Sequence, residues 1–325
     1  MKRTTIKDIA KALNVNISTV SRALKDHPDI SEETKKKVKE VVYLLHYNPN
    51  SMAVNFRNNK SQLVAVIVPK ISMFFIPSVL QGISDTLTKS GYKLLILSSD
   101  DNFEKEKENI EICINSFVEG ILISLTHETK DLEHLSVIKH ANIPLVIFDK
   151  TLNQEEFKHV IIDNVAIGRI AAQKILKHKN QKILALLGNE NLHITQNRKL
   201  GLLNELQQNT DCEVLCHYVR NVQEAKEITA NILQENTDIT SVFAMSDEIL
   251  GGINAAILSL SKKVSDYHII AISDGNLSYI LDPNIEYVIH DGYAMGQLSA
   301  RTLINEINGL NFEFEKKEIH LNINS

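Results

Sequence analysis

Tryptophan is absent from the 325-residue chain, aromatic residues make up only 6% of it, and there are three cysteines and six prolines. Cys113, Cys212 and Cys216 are an odd number and lack the spacing of zinc ligands, which predicts buried or inert thiols in a reducing compartment. No apolar run is long enough to cross a bilayer. Because Met-Lys-Arg is followed by a polar segment unlike a signal peptide, we expect a cytoplasmic protein with no membrane contact.

The motifs of the common enzyme classes are also missing. The sequence has no glycine-rich dinucleotide or phosphate loop, no Gly-x-Ser-x-Gly elbow and no His-Glu-x-x-His pair. His127, His134 and His140 are spaced wrongly for a shared metal ion, and the adjacent Asp100 and Asp101 are interpreted as a solvated turn. We therefore expect no catalytic residues, no metal and no cofactor, and we do not expect an enzyme.

Charge is unevenly distributed along the chain. Residues 1–60 contain 12 Lys and Arg against 6 Asp and Glu, a net charge of +6. The remaining 265 residues contain 23 against 34, a net charge of −11. A basic head on an acidic body indicates a polyanion bound at one end only. The length suggests two or three domains.

Residues 5–25 predict two short helices joined by a tight turn. Thr5 is a suitable N-cap, and Asp8 three residues later gives a capping-box arrangement. Apolar residues at helical spacing then mark the inner face of the first helix. Asn14 is placed in the turn because an amide side chain tolerates unusual backbone angles. Asn16 is expected to cap the second helix.

The exposed face of the second predicted helix carries Ile17, Ser18, Ser21 and Arg22. Small polar groups and one arginine, on a helix whose inner face is fixed, are what reading of the DNA major groove requires. The alternative is an amphipathic helical pair with no role in DNA binding, because helix-turn-helix patterns alone give false positives.

A third helix is predicted to open at Ser31, with two glutamates in its first turn. Its lysines are interpreted as a solvated fringe that faces DNA rather than as a specific site. These lysines are Lys35, Lys36, Lys37 and Lys39. The helix should end before Pro49, because the residue preceding a proline is pushed out of the helical region.

Residues 49–60 predict a further short helix that begins at Pro49. Ala53 and Phe56 would share one face, so two copies of the chain could pack through Ala53 while apolar side chains project forward. An apolar wedge beside Arg57 suits insertion between base steps in the minor groove. The alternative is a plain linker that happens to contain a phenylalanine.

Strands and helices alternate through the rest of the chain, starting with the apolar run at 63–68. Further strands are predicted at 93–98, 120–124, 144–148, 160–162, 182–187, 213–218, 241–244 and 268–272. Helices are predicted at 77–90, 103–117, 132–141, 164–178, 200–207, 222–234, 249–259 and 293–308. This alternation is typical of parallel sheets covered on both faces, here in two similar lobes with a cleft between them.

Side chains with binding chemistry follow several of these predicted strands. They are Phe74, Phe75, Asp149, Arg198, Asp247, Asp274 and His290. Carboxylates accept hydroxyl hydrogens and an arginine donates a planar fork, so the set suits a neutral polyhydroxylated ligand at the strand ends. For each aspartate the alternative is an N-cap of the following helix, and for the histidine it is a structural role.

Three segments together resemble the LacI/GalR family of bacterial transcription regulators: residues 5–10 (Thr-Ile-Lys-Asp-Ile-Ala), 18–24 (Ser-Thr-Val-Ser-Arg-Ala-Leu) and 47–50 (Tyr-Asn-Pro-Asn). The body resembles the family's ligand-binding core, so the resemblance covers essentially the whole chain. It implies a helix-turn-helix domain (1–48), a hinge helix or linker (49–60) and a two-lobed domain (61–325) of the periplasmic-binding-protein type I fold, which binds effector and dimerises.

The resemblance also implies roles for individual residues. Base edges would be contacted by Ile17, Ser18 and Arg22, phosphates mostly by Thr5, Thr19, Ser21 and Asn50, and the hinge would act through Ala53 and Phe56. The seven side chains at the strand ends would bind a small effector, commonly a sugar in this family. The partners implied are a palindromic DNA operator, that effector and a second copy of the chain.

This chain departs from the family pattern at several positions, including Ser-Asp-Gly at 273–275, where the family typically has Gly-Phe followed by Asp or Asn. Phe56 stands where the hinge usually presents a leucine, and Lys150 replaces a more usual arginine. Ser246 replaces asparagine and His290 replaces glutamine. Two other functions stay open from the residues alone: a solute receptor without gene control, which the basic head disfavours, and an α/β enzyme that modifies sugars.

Overall fold

The computed structural model describes residues 4–47, 61–72, 74–150, 152, 156–178, 181–208, 212–310 and 317–319. The backbone forms two compact units, residues 1–61 and 62–325. The predicted hinge segment 49–60 lies outside the described residues. Among those that are described, no helix has both the length and the apolar character needed to span a membrane.

The first unit is a three-helix head. Its helices are α1 (Ile6–Leu13), α2 (Ile17–Leu24) and α3 (Glu32–Leu44). Their inner faces meet in a small apolar core around Ile9, Val20 and Val38, all fully buried. Three short helices of this size are held by such a core rather than by helix propensity, because isolated helices under about 12 residues are marginal in water.

The predicted turns and caps of the head are confirmed. Thr5 precedes α1, and its backbone N–H and hydroxyl donate to the Asp8 carboxylate at 2.8 and 2.7 Å. Asn14 ends α1 in the left-handed region, with φ of 52°. Ser31 caps α3, where its hydroxyl oxygen accepts the Thr34 N–H. Asn16 is the N-cap of α2 by position, although its side chain makes no capping hydrogen bond.

The second unit begins with lobe 1, an all-parallel sheet in the order β11-β5-β4-β3-β1-β2. Its strands are β1 (Leu63–Val68), β2 (Lys93–Ser98), β3 (Gly120–Ile123), β4 (Leu145–Phe148), β5 (Lys158–Ile162) and β11 (Lys317–Ile319). Its helices are α4 (Phe75–Lys89), α5 (Phe103–Asn115), α6 (Ser136–His140) and α12 (Gly292–Ile307).

Alternate residues of the central strands enter two different cores. In β1, Val64 and Val66 face α4 and α12, whereas Ala65 and Ile67 face α5 and α6. Because both faces are covered, the strand is apolar at every position, as is typical of parallel sheets.

Lobe 2 is a second all-parallel sheet, in the order β10-β9-β8-β6-β7. Its strands are β6 (Gln181–Leu187), β7 (Cys212–Tyr218), β8 (Ile239–Ala244), β9 (His268–Ser273) and β10 (Glu286–Ile289). Its helices are α7 (Asn164–Ile175), α8 (His193–Leu206), α9 (Val222–Glu235), α10 (Asp247–Ser259) and α11 (Asn276–Leu281). The predicted fold class, a helical head followed by two parallel-sheet lobes, is confirmed.

The chain passes between the lobes twice within the described residues. The first crossover joins β5 of lobe 1 to α7, which packs against α8, β9 and β10 of lobe 2. The second joins β10 of lobe 2 to α12, which packs against α4 and the sheet of lobe 1. Asp163 and Asp291 cap the two arriving helices, accepting the N–H groups of Ala166 and Ala294.

Glycines allow each crossover helix to lie unusually close to its neighbour. A Cβ on Gly82 of α4 would overlap the Tyr293 carbonyl oxygen of α12. In lobe 2, a Cβ on Gly168 of α7 would overlap the Arg198 carbonyl oxygen of α8. Both lobes therefore seat their crossover helix through a backbone-to-backbone contact.

Several predicted bounds need correction. The helix expected at 200–207 begins already at His193, and the one expected at 132–141 is a 3₁₀ turn (Glu133–Leu135) followed by the short α6. The elements β10, β11 and α11 were not predicted. These elements have three, four or six residues, which is too short for a periodic pattern to be recognised.

Candidate functional site

In the head, the side chains predicted to contact DNA lie on one accessible face of α2. Ile17, Ser18 and Arg22 are exposed, and Thr19 and Ser21 are half-buried. The opposite face of α2 is fixed by Val20 and Ala23 in the core. Thr5 is exposed at the start of α1, and its hydroxyl is already engaged with Asp8.

The interpretation of Lys35 as part of a solvated fringe is wrong. Lys35 is buried, and its Nζ lies 2.7 Å from a carboxylate oxygen of Glu32 and 3.0 Å from one of Asp26. These hydrogen bonds, first from Glu32 and then from Asp26, raise the pKa of Lys35. The side chain is three residues before the core residue Val38 and therefore shares its inward face.

The other lysines of this helix, Lys36, Lys37 and Lys39, are exposed as predicted. Lys37 pairs with Glu33 at 2.7 Å one turn away. The remaining DNA-contact predictions, Asn50, Ala53 and Phe56, lie outside the described residues.

In the body, Arg198 forms the centre of the predicted cleft. It is 3% exposed, and its guanidinium donates to Asn164 Oδ1 at 2.9 Å and to the Met245 carbonyl at 3.0 Å. A third contact, from Nη2 to His290 Nε2, is 3.4 Å long. Burial lowers the pKa of Arg198 to about 10, against the effect of the Asp149 and Glu248 charges, so the group stays cationic at neutral pH.

The partners of Arg198 lie at both crossovers. Asn164 is the first residue of α7, after the first crossover, and its Nδ2 donates to the Ile162 carbonyl at 3.1 Å. His290 follows β10 at the second crossover. One guanidinium therefore bonds to both segments that connect the lobes.

His290 is buried and stacked on Phe75, with ring centroids 3.8 Å apart and planes 2° from parallel. Burial lowers the pKa of His290 well below its ordinary value, and the Arg198 charge acts in the same direction, so the ring is neutral. Arginine can only donate, so Nε2 is the acceptor and the ring proton lies on Nδ1. Of the two predicted phenylalanines, Phe75 thus packs inward, while Phe74 is 47% exposed.

Asp247 is a buried carboxylate at the start of α10. The Ser273 hydroxyl donates to its Oδ1 at 2.5 Å. Burial raises the pKa of Asp247 to about 6; the Ser273 hydrogen bond lowers it, and the nearby charges of Asp274 and Glu248 raise it further. The helix N-cap is the neighbouring Ser246, so Asp247 is not the N-cap.

Two hydrogen bonds span the cleft directly. The Ser78 hydroxyl of α4 donates to Asp274 Oδ2 at 2.9 Å, and the Phe74 N–H donates to Glu248 Oε1 at 2.9 Å. In each case the donor belongs to lobe 1 and the acceptor to lobe 2. Asp274 also accepts the Asn276 N–H at 3.0 Å, but the N-cap of α11 is Gly275, so the N-cap alternative does not hold for Asp274.

Asp149 follows β4 in a left-handed conformation, with φ of 60°. Burial raises the pKa of Asp149, and the Lys150 and Arg198 charges lower it in part. Asp149 thus faces the same positive group as the lobe 2 residues. These contacts and charge effects connect the seven predicted residues in one network where the lobes meet, with Phe74 at its exposed margin.

Sequence reasoning missed Ser78, Asn164 and Glu248, which hold the cleft together. Asn164 lies two residues beyond the end of β5, and this position was the available signal. Asp100 and Asp101 lie in a turn as predicted, and Asp100 is exposed. Asp101 is only half-exposed, because its carboxylate lies 2.9 Å from His127 Nδ1 and accepts the His127 N–H at 3.0 Å.

His134 was expected on a surface segment and is instead buried. Its Nε2 lies 2.9 Å from Oε1 of Glu106, a fully buried carboxylate. Glu106 also accepts the Thr126 N–H and the Thr129 hydroxyl, both at 2.8 Å. This cluster fixes the loop after β3 and has no part in the cleft contacts described above.

Cys113 is buried, as predicted, and Cys212 and Cys216 are half-buried. Among the described residues the three cysteines form no disulfide. Burial raises the pKa of Cys113 to about 12 and also raises that of Cys216, which keeps both thiols protonated.

Comparison with known proteins matches both units. Residues 5–50 match the model for bacterial regulatory proteins of the lacI family, and residues 64–311 match that for a periplasmic binding protein domain. The ribose operon repressor of Bacillus subtilis (strain 168) is 30% identical over 305 residues, covering 93% of this chain and 91% of that protein.

Two solved structures share the fold. The lac repressor dimer bound to operator and the anti-inducer ONPF has a TM-score of 0.80 at 19% identity, covering 98% of this chain and 96% of that one. The complex of the transcriptional regulator CelR with cellobiose has a TM-score of 0.68 at 21% identity, covering 98% and 97%. With both parts matched and a relative at 30% identity along nearly its full length, the chain belongs to the lacI family of bacterial regulatory proteins.

Proposed function

We propose that this protein is a homodimeric transcription regulator that acts in the cytoplasm and binds a palindromic operator with affinity set by a sugar-like effector. Family membership makes it a DNA-binding regulator, and the relatives named above are repressors rather than enzymes. In the proposed division, residues 1–48 bind DNA, 49–60 form the hinge, and 61–325 bind effector and dimerise.

The face of α2 supports the operator part of the proposal. In our assignment Ile17, Ser18 and Arg22 read base edges in the major groove, because an exposed arginine can donate two hydrogen bonds to guanine. Thr5, Thr19, Ser21 and Asn50 position the head on phosphates. Ala53 and Phe56 supply the helix contact and the minor-groove wedge.

The observation that carries the effector part of the proposal is the position of the Arg198 guanidinium. The charges of Asp149 and Glu248 act on it, and it bonds to a residue at each of the two crossovers. Asp149, Asp247 and Asp274 supply hydroxyl acceptors, Arg198 supplies donors, and Phe74 supplies an exposed ring at the margin. The B. subtilis relative is named for a ribose operon. A neutral polyhydroxylated ligand is therefore the class we propose, and pentoses are the first candidates.

Regulation would pass through the angle between the lobes. A ligand that contacts Arg198 changes the preferred geometry of two crossovers at once, since Asn164 and His290 are bound to the same group. If ligand and operator are coupled, each changes the affinity of the other by the same factor.

The operator part is tested by selection from random oligonucleotides with the full-length protein, at low salt and with or without metabolite extract. We expect an enriched inverted repeat. Recovery of no enriched sequence under any of these conditions would overturn the proposal.

Substitution of Arg22 tests the base-reading role. Arg22→Ala should relax base preference and cost about 1–3 kcal/mol at one position of each half-site. Lys25 is an exposed cation just after α2, so Lys25→Ala is the matched control. It should weaken binding to all DNA sequences alike. An unchanged sequence preference in Arg22→Ala would assign base reading elsewhere.

The effector part is tested by thermal shift against pentoses, hexoses, their phosphates and nucleosides. A ligand at 100 times its dissociation constant should add about 2.7 kcal/mol to the free energy of unfolding. The stabilising compound should then change operator affinity in a binding titration. Stabilisation only by charged or aromatic compounds would overturn the assignment of a neutral sugar.

A further inference from the structure

A cluster of two histidines and a glutamate lies in lobe 2 at the end of the sheet opposite to the cleft. His268 is the first residue of β9, Glu286 is the first residue of β10, and His178 lies three residues beyond the end of α7. None of them belongs to the site described above, whose residues follow the carboxyl ends of the strands.

The sheet register explains how the cluster forms. Glu286 pairs with Ile270, so it points to the same face as His268, two residues earlier on β9. Helix α7 packs on β9 and β10, which places His178 over this pair. The histidine ring centroids are 3.5 Å apart and the rings are tilted by 42°.

The candidate ligand atoms converge on one carboxylate oxygen. Glu286 Oε1 lies 2.9 Å from His268 Nε2 and 3.9 Å from His178 Nε2. All three residues offer ligand atoms within 4.8 Å of one another. Ligand atoms of one tetrahedral zinc ion are about 3.3 Å apart, given Zn–N distances of about 2.0–2.1 Å. Side-chain movements on the order of 1 Å would bring the three ligand atoms to this spacing.

Access suits an ion at this position. The other carboxylate oxygen, Oε2, lies 3.7 Å from Lys174 Nζ, so Oε1 is the one left to the histidines. His178 is 49% exposed, which leaves an open side for solvent and for an arriving ion.

We propose that His178, His268 and Glu286 form a binding site for a divalent transition-metal ion, with zinc as the first candidate. Two imidazole nitrogens and one carboxylate oxygen suit zinc, with water as the fourth ligand. His268 Nδ1 is buried and has no hydrogen-bond partner among the described residues. The site therefore lacks the usual outer hydrogen bond, and its affinity should be about 10–100-fold below that of a dedicated zinc site.

A bound ion would pin the amino ends of β9 and β10. The carboxyl ends of the same strands lead to Ser273 and His290 in the cleft, and β10 is only four residues long, about 13 Å. The metal would thus restrain the two strands that lead to Ser273 and His290 in the proposed effector site.

The test is calorimetric titration of the untagged, full-length protein with zinc chloride, supported by the visible absorption of bound cobalt(II). One ion per chain and a tetrahedral cobalt spectrum are expected. His178→Gln and Glu286→Gln should each weaken zinc binding at least tenfold. His193→Gln is the matched control, because His193 is an exposed histidine of the same lobe outside the cluster.

The side chain of His178 is half exposed, so His178→Gln should unfold at the same temperature as the parent protein without metal. Absence of zinc binding by the parent protein would overturn the proposal. Binding that persists undiminished in both His178→Gln and Glu286→Gln would also overturn it, because the ion would then bind elsewhere.

Discussion

At the scale of single residues, Arg198 is the central side chain of the contacts between the lobes. Three of its N–H groups bond to Asn164, Met245 and His290, and a guanidinium has five. Two N–H groups therefore remain beyond these three contacts. In the proposed effector site, these two groups would donate to a ligand that also reaches the carboxylates of Asp149 and Asp247.

We expect Arg198→Met to fold but to lose the effect of effector on operator binding. Each hydrogen bond to a charged group contributes about 1.5–3 kcal/mol, and relief from burying the guanidinium offsets part of that loss. The free energy of unfolding in urea should fall by less than about 3 kcal/mol. Lys199→Met, the adjacent and less buried cation, is the control and should respond to effector normally. A normal response in Arg198→Met would contradict the assigned role.

The raised pKa of Asp247 predicts a specific dependence of stability on pH. The folded protein holds this proton up to about pH 6, whereas the ordinary pKa of an aspartate, which applies to the unfolded chain, is 3.8. Raising the pH through this window therefore favours the unfolded state, and the loss of stability is complete above about pH 6. Asp247→Asn should remove the effect and be more stable than the parent at pH 7, by roughly 1–3 kcal/mol.

The gain in Asp247→Asn should shrink as the pH falls and vanish at about pH 3, below the ordinary aspartate pKa of 3.8, where the parent carboxyl is mostly protonated in both states. Urea unfolding of both proteins at about pH 3 and pH 7 measures the difference. Equal stability at pH 7 would contradict the pKa shift. The same substitution should weaken effector binding, because an acceptor is lost.

At the scale of elements, the glycine contacts of α4 with α12 and of α7 with α8 have the same construction. In both lobes the helix after the first strand lies against the helix that has just crossed from the other lobe. Contact of backbone against backbone leaves no side chain that can move aside, so these helix pairs tolerate little change.

Gly82→Ala should destabilise the body by about 1–3 kcal/mol or more, because its Cβ would overlap the Tyr293 carbonyl. Gly251→Ala on α10 is the matched control, since nothing lies within 4 Å of its Cβ position. Helical alanine is favoured over glycine by about 0.5–1 kcal/mol, so the control should be stabilised. Urea unfolding of the two variants, with opposite signs expected, measures the effect.

Sequence patterns were sufficient for the elements with strong periodicity and insufficient for those without it. The apolar run of β1 and the capped start of α3 could be predicted because burial and capping act locally. The start of α8 at His193 could not, since its first turn is polar and its N-cap Leu192 makes no side-chain bond. β10 has only four residues and begins with a charge.

The candidate site shows the same limit. That Asp149, Arg198, Asp247 and His290 would lie at strand ends followed from the parallel-sheet pattern. That Arg198 binds groups at both crossovers could not be predicted, because its partners are 34, 47 and 92 residues away along the chain. Such contacts depend on how the two lobes pack together, and a local sequence pattern contains no information about that packing.

At the scale of the whole molecule, the basic head and acidic body predict how binding depends on salt. If a dimer makes about 6–10 phosphate contacts, operator affinity should fall roughly 10³–10⁵-fold between about 50 and 200 mM salt. Affinity for a neutral effector, measured over the same series, should hardly change. A flat salt dependence of operator binding would contradict a phosphate-contacting head.

The second crossover also sets the order in which the protein is completed on the ribosome. Lobe 1 needs α12 to cover α4, yet about 200 residues separate the end of α4 from the start of α12, and their synthesis takes about 10–40 s. Lobe 2, which is continuous from α7 to β10, emerges whole before then. The lobe that is started first is therefore finished last, and its exposed apolar surface is the part of the nascent chain that most needs a chaperone.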